Sequence, residues 1–164
     1  MKVRDLLLIA GLLLALAVVN LAIGARERLL REGTPVLLAL APVDPRALLQ
    51  GDYMALDWAI ARDVEATFGA QRPRHGDGYA VLALAADGTT TFLRSQARPD
   101  PVAGGEVALR WRLRGGRVRI VTNAWFFPEG QAGRYQSARH GELRVGADGE
   151  ALLVAMRDGE LNRL

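Results

Sequence analysis

Side chains that could act as nucleophiles or general bases are scarce in this sequence. The only lysine is Lys2, the histidines are His75 and His140, and the serines are Ser95 and Ser137. A Ser/Lys peptidase needs its lysine beside the serine, but a long apolar segment separates Lys2 from the rest of the chain. No serine stands in a G-x-S-x-G setting. The sequence therefore excludes a Ser/Lys peptidase and favours a non-enzymatic role.

Metal and cofactor sites lack support as well. The chain has no cysteine, which excludes thiolate ligands and disulfides. Its two histidines are far apart, with no close ligand spacing, and no glycine-rich phosphate loop is present. We predict no metal and no cofactor.

Carboxylates and aromatic side chains are concentrated in two blocks. The first runs from Asp44-Pro45-Arg46 through Gly51-Asp52-Tyr53 to Asp57-Trp58, and the second is Trp125-Phe126-Phe127-Pro128-Glu129-Gly130. Gly51-Asp52-Tyr53 is typical of a turn into a strand, so the first block could be a structural corner. Alternatively, the blocks form a ligand or partner surface, or a hydrolase or small-ligand site that uses Asp52, Tyr53, Asp57, Glu129 and His140.

The first block resembles the signature of the GDYXXLXY family of bacterial membrane-anchored proteins. Gly51, Asp52, Tyr53 and Leu56 match the signature, and Trp58 stands in place of its final tyrosine. The second block and the segment from Gly141 to Val145 also resemble the family. The resemblance implies a membrane-anchored topology and a polytopic membrane protein as partner. The candidate binding residues on these blocks are Arg46, Gly51, Asp52, Tyr53, Leu56, Trp58, Pro128, Glu129 and Gly130.

Four arginines flank the pair Gly115-Gly116. If the glycines form a two-residue hairpin turn, Arg114 lies opposite Arg117 and Arg112 lies opposite Arg119. Like charges that face each other across strands are unfavourable unless anions intervene. This hairpin is either a solvated face with neighbouring carboxylates or a contact surface for anionic headgroups or an acidic partner.

The N-terminal segment predicts a membrane anchor. Residues Leu6 to Ile23 carry no charge and one polar side chain, Asn20. As a helix they span about 27 Å, close to the hydrocarbon thickness of a bilayer of about 30 Å. We divide the chain into an anchor (residues 1–25), a basic linker (26–33) and an extracytoplasmic domain (34–164), at the bacterial cytoplasmic membrane. Cleavage after Gly24 would instead give a secreted domain.

The net charge does not indicate nucleic-acid binding. Residues 1–33 hold five cations and three carboxylates, which accounts for +2 of the total of +3. The surplus therefore flanks the apolar segment, where cations meet lipid headgroups.

The remainder of the chain predicts a mainly β domain. Period-two patterning covers Thr34–Ala41, Tyr53–Arg62, Tyr79–Ala86, Thr89–Ser95, Glu106–Arg114, Arg117–Ala124, Glu142–Val145 and Ala151–Met156. Asp87-Gly88, Gly115-Gly116 and Asp148-Gly149 are typical hairpin turns, and a polar loop is expected over residues 69–78 and a short helical piece over 133–138. We predict an antiparallel sandwich or partly open barrel of seven or eight short strands, acting as an accessory module for a membrane protein.

Overall fold

The computed structural model of the chain describes residues 3–41, 49–50, 53–69, 73–100 and 102–164. Three of the candidate binding residues, Arg46, Gly51 and Asp52, lie outside the described residues. Within these ranges the structure consists of a long N-terminal helix followed by a β domain that carries two short helices.

The N-terminal helix, α1, runs without a break from Val3 to Glu32. Its apolar window has a mean hydropathy of 2.8 and none of that window is buried, so α1 is long and apolar enough to cross a membrane. The amide of Asn20 donates to the carbonyl of Leu16 at 2.8 Å, which satisfies this polar group within the helix. The predicted linker, apart from Gly33, continues the helix. Gly33 ends α1, with its N–H donating to the carbonyl of Leu29 at 3.0 Å.

Antiparallel strands in three sheets make up the described part of the domain. The strands are β1 (Thr34–Ala39), β2 (Leu49–Gln50), β3 (Tyr53–Ala55), β4 (His75–Leu84), β5 (Thr90–Gln96), β6 (Glu106–Arg114), β7 (Arg117–Ile120), β8 (Ala124–Phe126), β9 (His140–Val145) and β10 (Ala151–Arg157). The sheet orders are β1-β9-β10, β2-β3-β8 and β5-β4-β6-β7. The prediction of a mainly β, open, antiparallel architecture after an apolar helix is confirmed.

The glycine turns fall at the predicted positions. Gly88, Gly116 and Gly149 adopt φ values of +85°, +77° and +78°, a backbone region that favours glycine. Because Gly115 also has a positive φ, of +59°, the β6–β7 turn has both central residues in this region, as a tight primed turn requires.

Three segments differ from the sequence predictions. The strand predicted over residues 53–62 ends at Ala55, and the helix α2 (Ala59–Ala66) follows, with Ile60, Ala61 and Val64 buried on one side. The strand predicted to reach Ala124 ends at Ile120, because Val121 takes a left-handed φ of +49° and turns the chain into β8. The loop predicted up to residue 78 ends earlier, since β4 begins at His75.

The core lies between the inner faces of the sheets and α2. Along β6 and β7 the alternation is regular, with Leu109, Trp111, Leu113, Val118 and Ile120 inward. Because side chains alternate across a strand, the arginines of both strands share the outer face. A second short helix, α3 (Ala132–Tyr135), contributes the buried ring of Tyr135.

The sheets contact one another at their edges. The N–H of Leu37 on β1 donates to the carbonyl of Gly88 at 2.8 Å, and the N–H of Arg110 on β6 donates to the carbonyl of Gly149 at 2.9 Å. The second contact places the β9–β10 turn on the part of the β6 edge that β7 does not cover. It therefore brings the residue after this turn, Glu150, close to the arginines of β6.

Candidate functional site

The two distinctive sequence blocks meet in the structure. Strands β3 and β8 pair in antiparallel register, with Tyr53 opposite Phe126 and Met54 opposite Trp125. The rings of Tyr53 and Phe126 lie 5.8 Å apart at a tilt of 40°. Phe126 remains 75% exposed, although Met54 beside it is buried. The pair of strands therefore presents an aromatic surface to the outside of the domain.

Trp58 has a structural role. Its indole is 3% exposed, and Nε1 donates to the carbonyl of Thr122 at 2.9 Å. A Cβ added at Gly141 would lie 2.5 Å from Cη2 of Trp58. Trp58, the last position of the first block, thus packs directly on Gly141 of β9. Leu56 is also buried in the core.

The model of the GDYXXLXY protein family matches this chain over residues 15–156. The chain belongs to the GDYXXLXY family. No match to the chain was found among the curated proteins or among the solved structures. For the described part of the GDYXXLXY segment, Leu56 and Trp58 are core residues, while Tyr53 is half-buried.

The segment Pro128-Glu129-Gly130 forms an exposed turn next to this motif. The N–H of Gln131 donates to the carbonyl of Pro128 at 3.2 Å, and Gly130 has a φ of +81°. Among the described residues Glu129 has no ion pair, and Phe127 just before the turn stacks on Tyr135 at 4.9 Å. These contacts give Phe127 and the turn after it a structural role.

Several side chains that a hydrolase could use have structural partners, and Nδ1 of His140, for example, lies 3.5 Å from the carbonyl oxygen of Asp158. Ser95 accepts a hydrogen bond from Nε1 of Trp111 at 3.1 Å, and the hydroxyl of Ser137 donates to the carbonyl of Arg134 at 3.5 Å. Asp57 is 3.5 Å from the guanidinium of Arg62, with both side chains more than half exposed. Within the described ranges, no three histidine or acidic side chains are grouped as metal ligands.

A basic groove of about 740 Å³ lies beside the aromatic surface, and we call it the arginine groove. Its basic side chains come from the end of α1, from β6 and from β7. The other walls are formed by the segment from Val121 to Phe126 and by the start of β10. The side chains that line the groove include Arg26, Arg110, Arg112, Arg114, Arg119, Val121, Phe126, Glu150 and Leu152.

The predicted register of the arginine hairpin is confirmed. Arg112 lies opposite Arg119, and Arg114 lies opposite Arg117. Three of the four line the groove, whereas Arg117 at the turn does not. Sequence reasoning missed Arg110, although it lies on the same face of β6, two residues before Arg112.

Glu150 is the single carboxylate among the described residues that line the groove. Its Oε1 lies 2.6 Å from Nη1 of Arg110 and 3.3 Å from Nη2 of Arg112. The hydrogen bond that Arg110 donates to Glu150 raises the pKa of Arg110 above its usual value. Oδ2 of Asp77 on β4 also lies 3.8 Å from Nη2 of Arg110. Arg110 therefore has two carboxylate partners and Arg112 shares one of them, so the excess of positive charge falls on the other groove arginines.

The other two hairpin arginines in the groove have no carboxylate partner in the described part of the chain. Nη1 of Arg114 donates to the carbonyls of Leu113 at 2.9 Å and Gly76 at 3.4 Å. Arg119 has neither a hydrogen bond nor an ion pair from its side chain to any described residue. With Arg26, the groove holds five guanidinium groups and one carboxylate, a formal charge of +4.

The end of α1 packs against the domain between the arginine groove and a second depression of about 1160 Å³. Ala22, Ala25 and Leu29 line this depression together with Pro99 and Val102 of the loop between β5 and β6. Val102 is 40% exposed. The loop therefore comes down to the level of the last apolar turns of α1.

Proposed function

We propose that this chain is a β domain anchored in the bacterial cytoplasmic membrane by a single helix. The domain lies on the non-cytosolic side of that membrane. There it serves as a non-enzymatic binding module for a polytopic membrane protein. The observation that carries the proposal is the surface of α1. Its leucines are exposed around the whole helix, for example Leu7, Leu8 and Leu13, which point in three different directions and are 67%, 67% and 61% exposed. Such a surface is stable in lipid and costly in water.

The exposed aromatic surface supports a protein partner. Phe126 is 75% exposed and Val121 is 40% exposed, and both line the arginine groove. Contiguous exposed apolar residues with a polar rim are typical of interaction sites. Their position next to the end of α1 would let one membrane protein contact both the helix and the domain.

The anchor is tested by membrane extraction. The full-length chain is expected to stay with the membrane pellet after alkaline carbonate washing. Leu14→Arg is expected to weaken insertion, because a central arginine costs about 2.5–3.5 kcal/mol on translocon scales. Leu14→Ala serves as the matched control and should stay in the pellet. Wild-type protein in the supernatant would refute anchoring.

The side of the membrane is tested by protease access. Trypsin has many arginine sites in the domain, so it should cut the chain in intact spheroplasts and leave it protected in inverted vesicles. The reverse pattern would place the domain in the cytosol and refute the proposed orientation.

The partner is tested by crosslinking and co-purification from membranes. Phe126→Ser should reduce the yield of a stoichiometric polytopic protein, whereas Leu93→Ser should not. Leu93 is a suitable control because it is 46% exposed on β5 and does not line the groove. Equal recovery with both variants would remove Phe126 from the interface, and reproducible isolation of the chain alone would refute a stable partner.

A further inference from the structure

We propose that the arginine groove binds the phosphate headgroup of an anionic phospholipid from the same bilayer that holds α1. The inference rests on the proposed membrane anchoring and adds a specific ligand to it. It is carried by the charge of the groove, by its height relative to the apolar segment and by its apolar wall.

The charge of the groove matches a phosphate. Arg114 and Arg119 lie on neighbouring strands with no carboxylate between them in the described structure. Guanidinium groups held close together repel one another unless an anion lies between them. Arginine also presents several N–H donors in a planar fork that fits phosphate oxygens. A phosphate between the two guanidinium groups would therefore relieve their repulsion and accept hydrogen bonds from both.

The height of the groove matches the headgroup layer. Arg26 lines the groove and follows Ile23, the last residue of the predicted membrane segment, by three positions. At about 1.5 Å per residue, Arg26 lies about 4.5 Å beyond the hydrocarbon boundary if α1 stands upright. The polar layer on each side of a bilayer is about 5–8 Å thick. The groove thus opens at the level where phospholipid phosphates lie.

The apolar wall favours a lipid over a free anion. Val121, Phe126 and Leu152 line the same groove as the arginines. Phe126 is 75% exposed, which is costly in water but suits a contact with the glycerol and upper acyl carbons. A small soluble phosphate would engage the guanidinium groups and leave this wall unused. The combination therefore selects a ligand with an anionic end and an apolar end.

The proposal is tested by lipid retention on the full-length protein. The chain is reconstituted into vesicles of equimolar phosphatidylcholine and phosphatidylglycerol, extracted in mild detergent and purified, and the phospholipids that remain bound are quantified. We expect phosphatidylglycerol to be enriched on the wild type by about tenfold over the vesicle ratio, since each basic residue near the surface strengthens the attraction. The triple variant Arg112→Gln, Arg114→Gln, Arg119→Gln should return to the vesicle ratio.

A matched triple variant controls for net charge. Arg62, Arg134 and Arg163 are exposed and lie outside the groove. Their replacement by glutamine removes the same charge and should leave the enrichment unchanged. Equal loss with both variants would show a general effect of charge and overturn the assignment. Enrichment that survives in the groove variant would overturn it as well. Near-ultraviolet circular dichroism should show that all variants keep the native fold.

Two further readouts separate the possible failures. Flotation of the chain with phosphatidylcholine vesicles tests anchoring alone, so a chain that floats but shows no enrichment refutes the groove and leaves the proposed anchor intact. Glycerol 3-phosphate is then added during purification. If it displaces the bound phosphatidylglycerol at millimolar concentration and binds the detergent-solubilised protein equally well, the ligand is a soluble phosphate and the lipid assignment is wrong.

Discussion

The contact between Trp58 and Gly141 predicts a specific steric effect. In Gly141→Ala the new Cβ would lie 2.5 Å from Cη2 and 2.8 Å from Cζ3 of Trp58, and 2.9 Å from Cδ1 of Leu153. The indole cannot easily move, because it is buried and its Nε1 bonds to the carbonyl of Thr122. Overpacking of this kind costs about 1–3 kcal/mol, and the reduced freedom of the unfolded chain returns about 0.4–1 kcal/mol.

The net effect lies between about 0 and about 2.6 kcal/mol, and because the indole is held in place we expect Gly141→Ala to lower the free energy of unfolding by about 1–2 kcal/mol. The assay is urea unfolding of the full-length chain in detergent, followed by tryptophan fluorescence. All three tryptophans lie in the β domain, so the signal does not report on α1. Gly76→Ala is the control, since Gly76 is also a strand glycine but has open space at its Cβ. It should be neutral or stabilising by up to about 1 kcal/mol.

A double-mutant cycle isolates the contact itself. Trp58→Phe alone should destabilise the domain, because it removes the hydrogen bond to Thr122 and part of a buried ring. The smaller ring leaves space at Gly141, so the added methyl group should cost at least about 1 kcal/mol less in the Trp58→Phe background. Additive effects, or a Gly141→Ala variant as stable as Gly76→Ala, would refute the steric reasoning.

Three further perturbations test other contacts. Arg157→Met should cost about 3 kcal/mol, because it leaves the carboxylate of Glu142, 8% exposed, without the guanidinium that binds it at 2.8 Å and 3.0 Å. The hydrogen bonds from Arg94 and Ala103 lower the pKa of Glu106 from 4.5. The contribution of ionised Glu106 to the free energy of unfolding is therefore complete above about pH 4.5, and it is lost as the pH falls through the lower pKa of the folded state. Glu106→Gln should consequently flatten the acid limb of a pH–stability curve. Gly115→Asn should retain stability or gain up to about 0.5 kcal/mol, because Asn-Gly suits this turn.

Each of these three has a control and a contrary result. For Arg157, the control is Arg62→Met, which breaks an exposed pair at 3.5 Å and should cost less than about 0.5 kcal/mol; equal effects would contradict the role of burial. For Glu106, the control is Glu129→Gln at an exposed position, and identical acid limbs in both variants would count against the assigned pair. For Gly115, thermal unfolding decides, and a loss above about 1 kcal/mol would contradict the turn type.

Much of the β framework could be predicted because its signals are local. A two-residue Gly-Gly turn fixes the register of the strands on either side, so the pairs Arg112–Arg119 and Arg114–Arg117 followed directly from their spacing. The failure at α2 has an equally local cause. Met54, Leu56, Trp58 and Ile60 alternate as in a strand, yet Ile60 also fits a helical face with Ala61 and Val64. Packing of the helix against the sheets decides between the two patterns.

The groove could be predicted only in part, since it is assembled from distant segments. The hairpin arginines follow from their spacing, but nothing in the sequence places Arg26 or Glu150 beside them. Both come to the groove through tertiary contacts, Arg26 at the end of α1 and Glu150 through the bond between Arg110 and Gly149. The positive φ of Val121 was also beyond prediction, because β-branched residues rarely adopt it.

The junction at Gly33 has a mechanical consequence. A helix of 30 residues passes into β1 after this one residue, and the carbonyl of Gly33 also accepts a bond from Arg144 on β9 at 3.4 Å. No flexible linker therefore separates the helix from the sheet, so the two move together. Transmembrane helices tilt when the bilayer becomes thinner than their apolar length. If α1 spans the bilayer as proposed, such a tilt would rotate the whole domain, and membrane thickness would set the angle at which the arginine groove faces the lipid.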